Sequence, residues 1–186
     1  MSIVSILATT KYISVMTDGR VTGDDGEIVN ECYIKVIRPS ENTFIAFTGR
    51  TGLFEQLIEG CDFGNSDNYE DITKCVYERF SKIIIKDINL AIVVGGKDKN
   101  NELGYNFFSN FGHELTHIKP NEDNELERVL LAKVEYGIDN LLEILIKYIG
   151  FDTANKAIAI QSIIHDFEAI YDITVNANKY NVLIEK

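Results

Sequence analysis

The order in which apolar patterns follow one another along the chain is the feature that most restricts its fold. Short β-prone segments come first, then two stretches with helical spacing, further strands, two more helical stretches and a last group of β-prone segments. Grouped strands and grouped helices indicate an α+β fold with antiparallel sheets rather than a parallel sheet of βαβ units. No linker rich in proline or serine interrupts this order, so we predict one domain over residues 1–186.

Each element is predicted from a local pattern. The runs 3–7 and 12–16 are expected to form a hairpin, and a second hairpin joins 32–38 to 43–49 across a turn at 39–42. Apolar residues three and four apart predict helices at 53–61 and 69–85, and two further helices are expected at 138–149 and 152–170. Strands are expected at 88–96 and 129–134, with two more strands around 109–112. A closing hairpin is predicted between 171–176 and 180–185.

Charge and cysteine content narrow the choice of partners. The formal charge is −11, and because a phosphate-binding face needs clustered lysine and arginine, we expect no nucleic-acid partner. No apolar run reaches the ~18 residues that a membrane span needs, and the start lacks the features of a signal peptide. We therefore expect a cytoplasmic protein without a membrane partner, in which Cys32, Cys61 and Cys75 are reduced and buried.

One short motif suggests a metalloenzyme. His113, Glu114 and His117 reproduce the HExxH signature of zinc proteases, which needs both histidines on one face of a continuous helix and a third ligand. The apolar residues upstream have helical spacing, which leaves a helix open, but Pro120 discourages helix just before it. In a strand, alternate side chains of this stretch would point to opposite faces, and both imidazoles would point the same way without any zinc geometry. We favour a hairpin arm without metal and keep a zinc metalloprotease as the weaker alternative.

Several short motifs follow one another along the chain: SIVSI, TDGRVT, YIKVIR, FIAFTGRTGLFEQLIE and INLAIVVGG, and then later segments up to YDITVN. This ordered set resembles the proteasome β-type family, which includes the bacterial two-component proteasome-like proteases. The resemblance therefore covers essentially the whole chain. It implies the fold of the N-terminal-nucleophile hydrolases, a four-layer sandwich with helices outside two antiparallel sheets. In that frame the HExxH stretch falls on a β-hairpin.

The resemblance also implies a reaction and the residues for it. The hydroxyl of the first residue of the mature chain attacks the substrate, and its own α-amine, with a pKa of ~7.7–8.0 in peptides, is the general base. Counting back from Asp18 places Ser2 on the nucleophile. Asp18 and Lys35 fall on the catalytic aspartate and lysine, and Gly49 falls on the glycine of the oxyanion turn. Three further residues fall on supporting positions: Arg20, Glu135 and Asp172.

Four departures from the family pattern bear on activity. The nucleophile is serine instead of threonine, and an alignment with one extra residue in the turn 8–11 would put Met1 at that position. The stretch 134–136, which includes Glu135, replaces a small segment whose serine assists the nucleophile. With Met1 attached, Ser2 has no free amine.

Two functions follow from the resemblance. The first is a serine- or threonine-type peptidase that needs no cofactor and cleaves peptides or small amides. It would form a homo-oligomeric ring, and an ATP-dependent unfoldase is a further partner that the family allows. The second is a catalytically silent relative that keeps the fold as an assembly or binding module.

Overall fold

The structure is a computed structural model that describes residues 2–23, 25–64, 66–83, 89–112, 114–122, 125–132 and 137–186. These residues contain eleven strands and four helices. The strands are β1 (Val4–Ala8), β2 (Tyr12–Asp18), β3 (Val21–Thr22), β4 (Ile28–Asn30), β5 (Val36–Ser40), β6 (Thr43–Gly49), β7 (Leu90–Lys97), β8 (Leu103–Ser109), β9 (Thr116–Ile118), β10 (Glu127–Leu131) and β11 (Lys179–Glu185). The helices are α1 (Thr51–Glu59), α2 (Tyr69–Phe80), α3 (Ile138–Ile149) and α4 (Ala154–Tyr171).

Two antiparallel sheets pack face to face. The first has the strand order β10–β1–β2–β11 and the second has the order β5–β6–β7–β8–β9, while β3 and β4 form a separate ribbon. Alternate side chains of a strand point to opposite faces. One set from each sheet therefore meets in a shared core that includes Ile6, Val15, Phe44 and Val93.

The helices cover the outer faces of the two sheets. Helices α1 and α2 pack on the second sheet, where the rings of Phe47 and Phe54 stack at 3.8 Å between centroids and Val76 is buried beside them. Helices α3 and α4 pack on the first sheet, where Ile164 and Ile3 belong to one buried cluster. The layers are helix, sheet, sheet, helix, and the predicted α+β sandwich is confirmed.

One predicted strand is formed only in part, and another is wrong. The segment 32–38 becomes a strand only at Val36, because the backbone before it turns away and Tyr33 N donates to the Gly19 carbonyl at 2.8 Å. The segment 171–176 is a turn, since Asp172 accepts from Thr174 N at 2.8 Å with its side chain and from Val175 N at 3.0 Å with its carbonyl. Strand β11 therefore pairs with β2 and not with the segment before it.

The HExxH stretch is a hairpin arm over its described residues. His117 is exposed on β9, residues 114 and 115 have no regular structure, and His113 lies outside the described residues. A zinc-protease helix is therefore wrong here. Within the described ranges, no group of three His, Cys, Asp or Glu side chains is placed to hold a metal ion.

The cysteines are free, but the prediction that they are buried is wrong. Cys32 is exposed between β4 and β5, and Cys61 and Cys75 are only partly buried where α1 and α2 meet. Among the described residues, no helix is long and apolar enough to span a membrane. A single domain over 1–186 stays a prediction.

Candidate active site

Ser2 is located between the two sheets, where β1 begins and β6 ends. It precedes β1 in the first sheet, and its backbone N–H donates to Thr48 Oγ1 of β6 in the second sheet at 3.3 Å. The Thr48 hydroxyl in turn donates to the Ser2 carbonyl at 3.1 Å. The two hydrogen bonds hold the Ser2 backbone between the sheets, and the residue is 7% exposed.

Asp18 ends β2 beside this position, with a fully buried carboxylate. One oxygen accepts from Ile3 N at 3.0 Å and the other accepts from Arg20 N at 2.9 Å. A buried charge is tolerated only when it is hydrogen-bonded and paired. The two backbone donors supply part of that need, and the rest comes from a cation.

That cation is Lys35, which is 1% exposed. Its Nζ lies 2.9 Å from both Asp18 oxygens and 2.6 Å from Ser2 Oγ, and it also donates to the Arg20 carbonyl. Burial lowers the pKa of Lys35, against the opposing effect of the Asp18 charge. A cation in contact with a hydroxyl stabilises the oxygen as the hydroxyl loses its proton, which favours a serine nucleophile.

Gly49 forms a tight turn between β6 and α1. Its φ angle is +119°, and a Cβ at this position would overlap the Asn89 carbonyl oxygen, so only glycine fits. Thr48, which binds the Ser2 backbone, is the preceding residue. The turn therefore begins beside Ser2, where backbone N–H groups can face a substrate carbonyl.

The three supporting residues have different positions. Arg20 does not pair with Asp18 through its side chain but forms a two-point ion pair with Glu31, with both N–O distances 3.1 Å. This contact, followed by one from Asn176, lowers the pKa of the Glu31 carboxyl. Asp172 caps its own turn through Thr174, as described above, instead of reaching the Ser2–Lys35 contact. Glu135 lies outside the described residues.

Sequence reasoning missed three residues of this site, Thr48, Glu31 and Asn176. Thr48 had a usable signal, because it continues the inner face of β6 after Phe44 and Ala46, where a polar side chain is unexpected. Glu31 and Asn176 had none. They contact one another from 145 positions apart, across segments without regular periodicity.

Structural comparison identifies proteins of similar fold at low sequence identity. Eukaryotic HslV from Trypanosoma brucei has a TM-score of 0.68 at 16% identity, over 99% of this chain and 99% of that chain. Anbu (ancestral β-subunit) from Yersinia bercovieri has a TM-score of 0.75 at 12% identity, over 97% and 80%. The helical assembly of the Anbu complex from Pseudomonas aeruginosa gives 0.74 at 14% identity, over 98% and 81%.

No protein-family model matches the sequence, and no curated protein matches it. At 12–16% identity the structural likeness shows the fold, while activity has to be argued from the site. The likeness extends over nearly the whole chain and agrees with the layer order of its sheets and helices. The resemblance seen in the motifs is thus confirmed for the fold: this chain has a four-layer sandwich similar to the folds of HslV and Anbu.

Proposed function

We propose that this chain is a proteasome-like N-terminal-nucleophile hydrolase that cleaves amide bonds with Ser2 as its nucleophile. The observation that carries the proposal is the 2.6 Å contact between Lys35 Nζ and Ser2 Oγ. Burying an amine is costly, and here it is held by a buried carboxylate and directed at a hydroxyl at the start of the first described strand. This is the arrangement that an N-terminal serine needs for activation.

The reaction begins once whatever precedes Ser2 has been removed. The freed α-amine accepts the Ser2 hydroxyl proton, and Lys35, fixed by Asp18, stabilises the oxygen as it attacks the amide carbonyl. Backbone N–H groups at the Gly49 turn stabilise the oxyanion, a contribution worth ~3–4 kcal/mol where such donors have been removed from other enzymes. The proton then passes to the leaving amine, and water hydrolyses the serine ester.

Assembly and location belong to the same proposal. The Anbu complex from Pseudomonas aeruginosa, which shares this fold, is a helical assembly. We propose that this chain also self-associates, in a closed ring, and acts in the cytoplasm on peptides or small amides. Electron microscopy of the purified protein distinguishes a ring from a helix or a monomer.

A second candidate is supported by a different observation. Ser2 is 7% exposed and its backbone is hydrogen-bonded to Thr48 on both sides, whereas a nucleophile must be reached by its substrate. A catalytically silent assembly or binding module with the same fold has no such requirement.

The test begins with the identity of the first residue. Intact-mass analysis determines whether the protein from its own cells begins at Ser2, and a second sample is released from a cleavable leader so that it does begin there. Both are treated with a β-lactone, which acylates reactive hydroxyls. We expect one acyl group per chain, located on Ser2 by fragmentation.

Matched variants locate the reactivity. Ser2→Ala and Lys35→Met are expected to abolish acylation, while Ser81→Ala, at an exposed serine after α2, leaves it unchanged. Acylation that persists in Ser2→Ala contradicts the assignment of the nucleophile. A chain that begins at Ser2, is folded and is not acylated would contradict the hydrolase and support the silent module.

A further inference from the structure

We infer that Asn176 is a positioning residue that joins the segment carrying Lys35 to the turn carrying Asp18, and so sets the contact between Lys35 and Ser2. Its catalytic consequence rests on the proposed function, whereas its effect on Lys35 does not. Asn176 lies on a third segment, between α4 and β11, and is 5% exposed.

One amide group makes both connections. Asn176 Oδ1 accepts from Gly19 N at 3.0 Å, directly after Asp18. Its Nδ2 donates to the Glu31 carbonyl at 2.7 Å and to Glu31 Oε2 at 2.5 Å, four residues before Lys35. An amide is the side-chain group that offers an acceptor and two donors together, so the donor–acceptor pattern matches asparagine.

The segment that holds Lys35 needs this connection because it is not part of a sheet. Strand β5 begins only at Val36, on the edge of the second sheet. Two backbone hydrogen bonds hold the segment that carries Lys35, one from Tyr33 N to the Gly19 carbonyl at 2.8 Å and one from Phe47 N to the Lys35 carbonyl at 3.1 Å. Asn176 adds a side-chain link to the same Gly19 turn.

The two segments touch at this point. A Cβ on Gly19 would lie 2.8 Å from the Glu31 carbonyl oxygen, which is closer than real Cβ contacts come. Glu31 is also held by the two-point ion pair with Arg20, whose carbonyl accepts from Lys35. Asn176 and Arg20 thus both hold Glu31 in place. Among the described contacts, only Asn176 connects Glu31 to the Gly19 backbone N–H.

The variant Asn176→Ala removes the connection without adding charge. Loosening the segment admits water to the Lys35 amine, so the lowered pKa of Lys35 moves up towards its ordinary value. In the acylation assay we expect the rate at saturating β-lactone to fall at least tenfold, with a smaller change in its half-saturation concentration, because Asn176 is placed to orient Lys35 and not to bind the probe.

The direct measurement is the pKa of Lys35, read from a titration of ¹³Cε-labelled lysine by NMR, with the resonance assigned through Lys35→Arg. Asn178→Ala is the matched control, since Asn178 Nδ2 also donates to the Glu31 carbonyl, at 2.8 Å, but is not bonded to Gly19. We expect the Lys35 pKa to rise in Asn176→Ala and to stay unchanged in Asn178→Ala. If circular dichroism shows that Asn176→Ala is unfolded, Asn176→Ser is titrated instead.

The outcomes separate this inference from the proposed function. An unchanged Lys35 pKa in the folded Asn176 variant overturns the inference, whatever the activity. A raised pKa together with an upward shift in the alkaline pH midpoint of acylation, where Lys35 loses its proton, supports it, since a merely structural role lowers the amount of active protein without moving that midpoint. A raised pKa in a protein whose wild type is never acylated supports the positioning of Lys35 and defeats only the proposed hydrolase.

Discussion

The substitution Lys35→Met tests the buried ion pair at the centre of the site. Asp18 is fully buried and Lys35 is 1% exposed, with Nζ 2.9 Å from both carboxylate oxygens. Removing one member of such a pair costs ~3–5 kcal/mol, because the other charge stays buried without a partner. The N–H groups of Ile3 and Arg20 still bind the carboxylate. We therefore expect the lower end of that range, about 3 kcal/mol.

Methionine is chosen because its flexible chain fills the space of the lysine stem, which keeps the cavity contribution small. The free energy of unfolding is measured by urea denaturation at pH 7 with far-UV circular dichroism. Lys156→Met is the matched control, since Lys156 pairs with Asp152 at 2.6 Å but the two side chains are 44% and 68% exposed. That substitution should cost less than ~1 kcal/mol.

A double variant identifies the origin of the loss. Combining Asp18→Asn with Lys35→Met removes both charges, so we expect it to be more stable than Lys35→Met alone. A double variant no more stable than the single one would show that packing, and not the orphaned carboxylate, causes the loss. Wild-type stability in Lys35→Met would refute the buried pair itself.

Three further predictions concern stability and use the same denaturation assay. Burial lowers the pKa of His165 to about 3, so as the pH falls below ~6.5 the unfolded state takes up a proton and the folded state does not. The free energy of unfolding should therefore drop by ~2 kcal/mol by pH 5. His165→Gln should remove this dependence of stability on pH. Gly49→Ala should cost more than ~2 kcal/mol, because the φ angle is +119° and the new Cβ would overlap the Asn89 carbonyl. Gly52 lies in open space on α1, so Gly52→Ala should stabilise the protein by ~0.5–1 kcal/mol. Equal effects of the two substitutions would contradict both predictions. The Arg79 guanidinium donates at 3.0 and 2.9 Å to two carbonyls at the end of α1, so Arg79→Met should cost ~1–2 kcal/mol, and no loss would mean that water replaces it.

The elements that were predicted correctly are those with a strong local pattern. Helix α3 has the predicted bounds 138–149 because its apolar residues recur at helical spacing, and β6 has the predicted bounds 43–49 because it is one continuous buried run between a turn and Gly49. The short hairpin of β1 and β2 was also predicted. The ribbon of β3 and β4 was not, since strands of two and three residues are too short to show alternation.

The residues of the site also divide into those with a local sequence pattern and those without one. Ser2, Asp18, Lys35 and Gly49 were predicted from motifs, and the structure brings the first three into contact. Asp172 was matched to a family aspartate near the last strands, and YDITVN was predicted to be a strand, but an aspartate that accepts from the N–H two residues later favours a turn. Long-range polar contacts such as the one between Asn176 and Glu31 have no local pattern and required the structure.

The stability and acylation measurements together decide what the buried pair is for. A buried ion pair is weak evidence for stability, because uncharged side chains of similar volume often stabilise a protein equally well. If Asp18 and Lys35 only supported the fold, the double variant should be both stable and as reactive as wild type. If the amine is directed at the Ser2 hydroxyl for chemistry, the double variant should be folded and unreactive. Only the second result joins the 2.6 Å contact to catalysis, because loss of folding could not explain it.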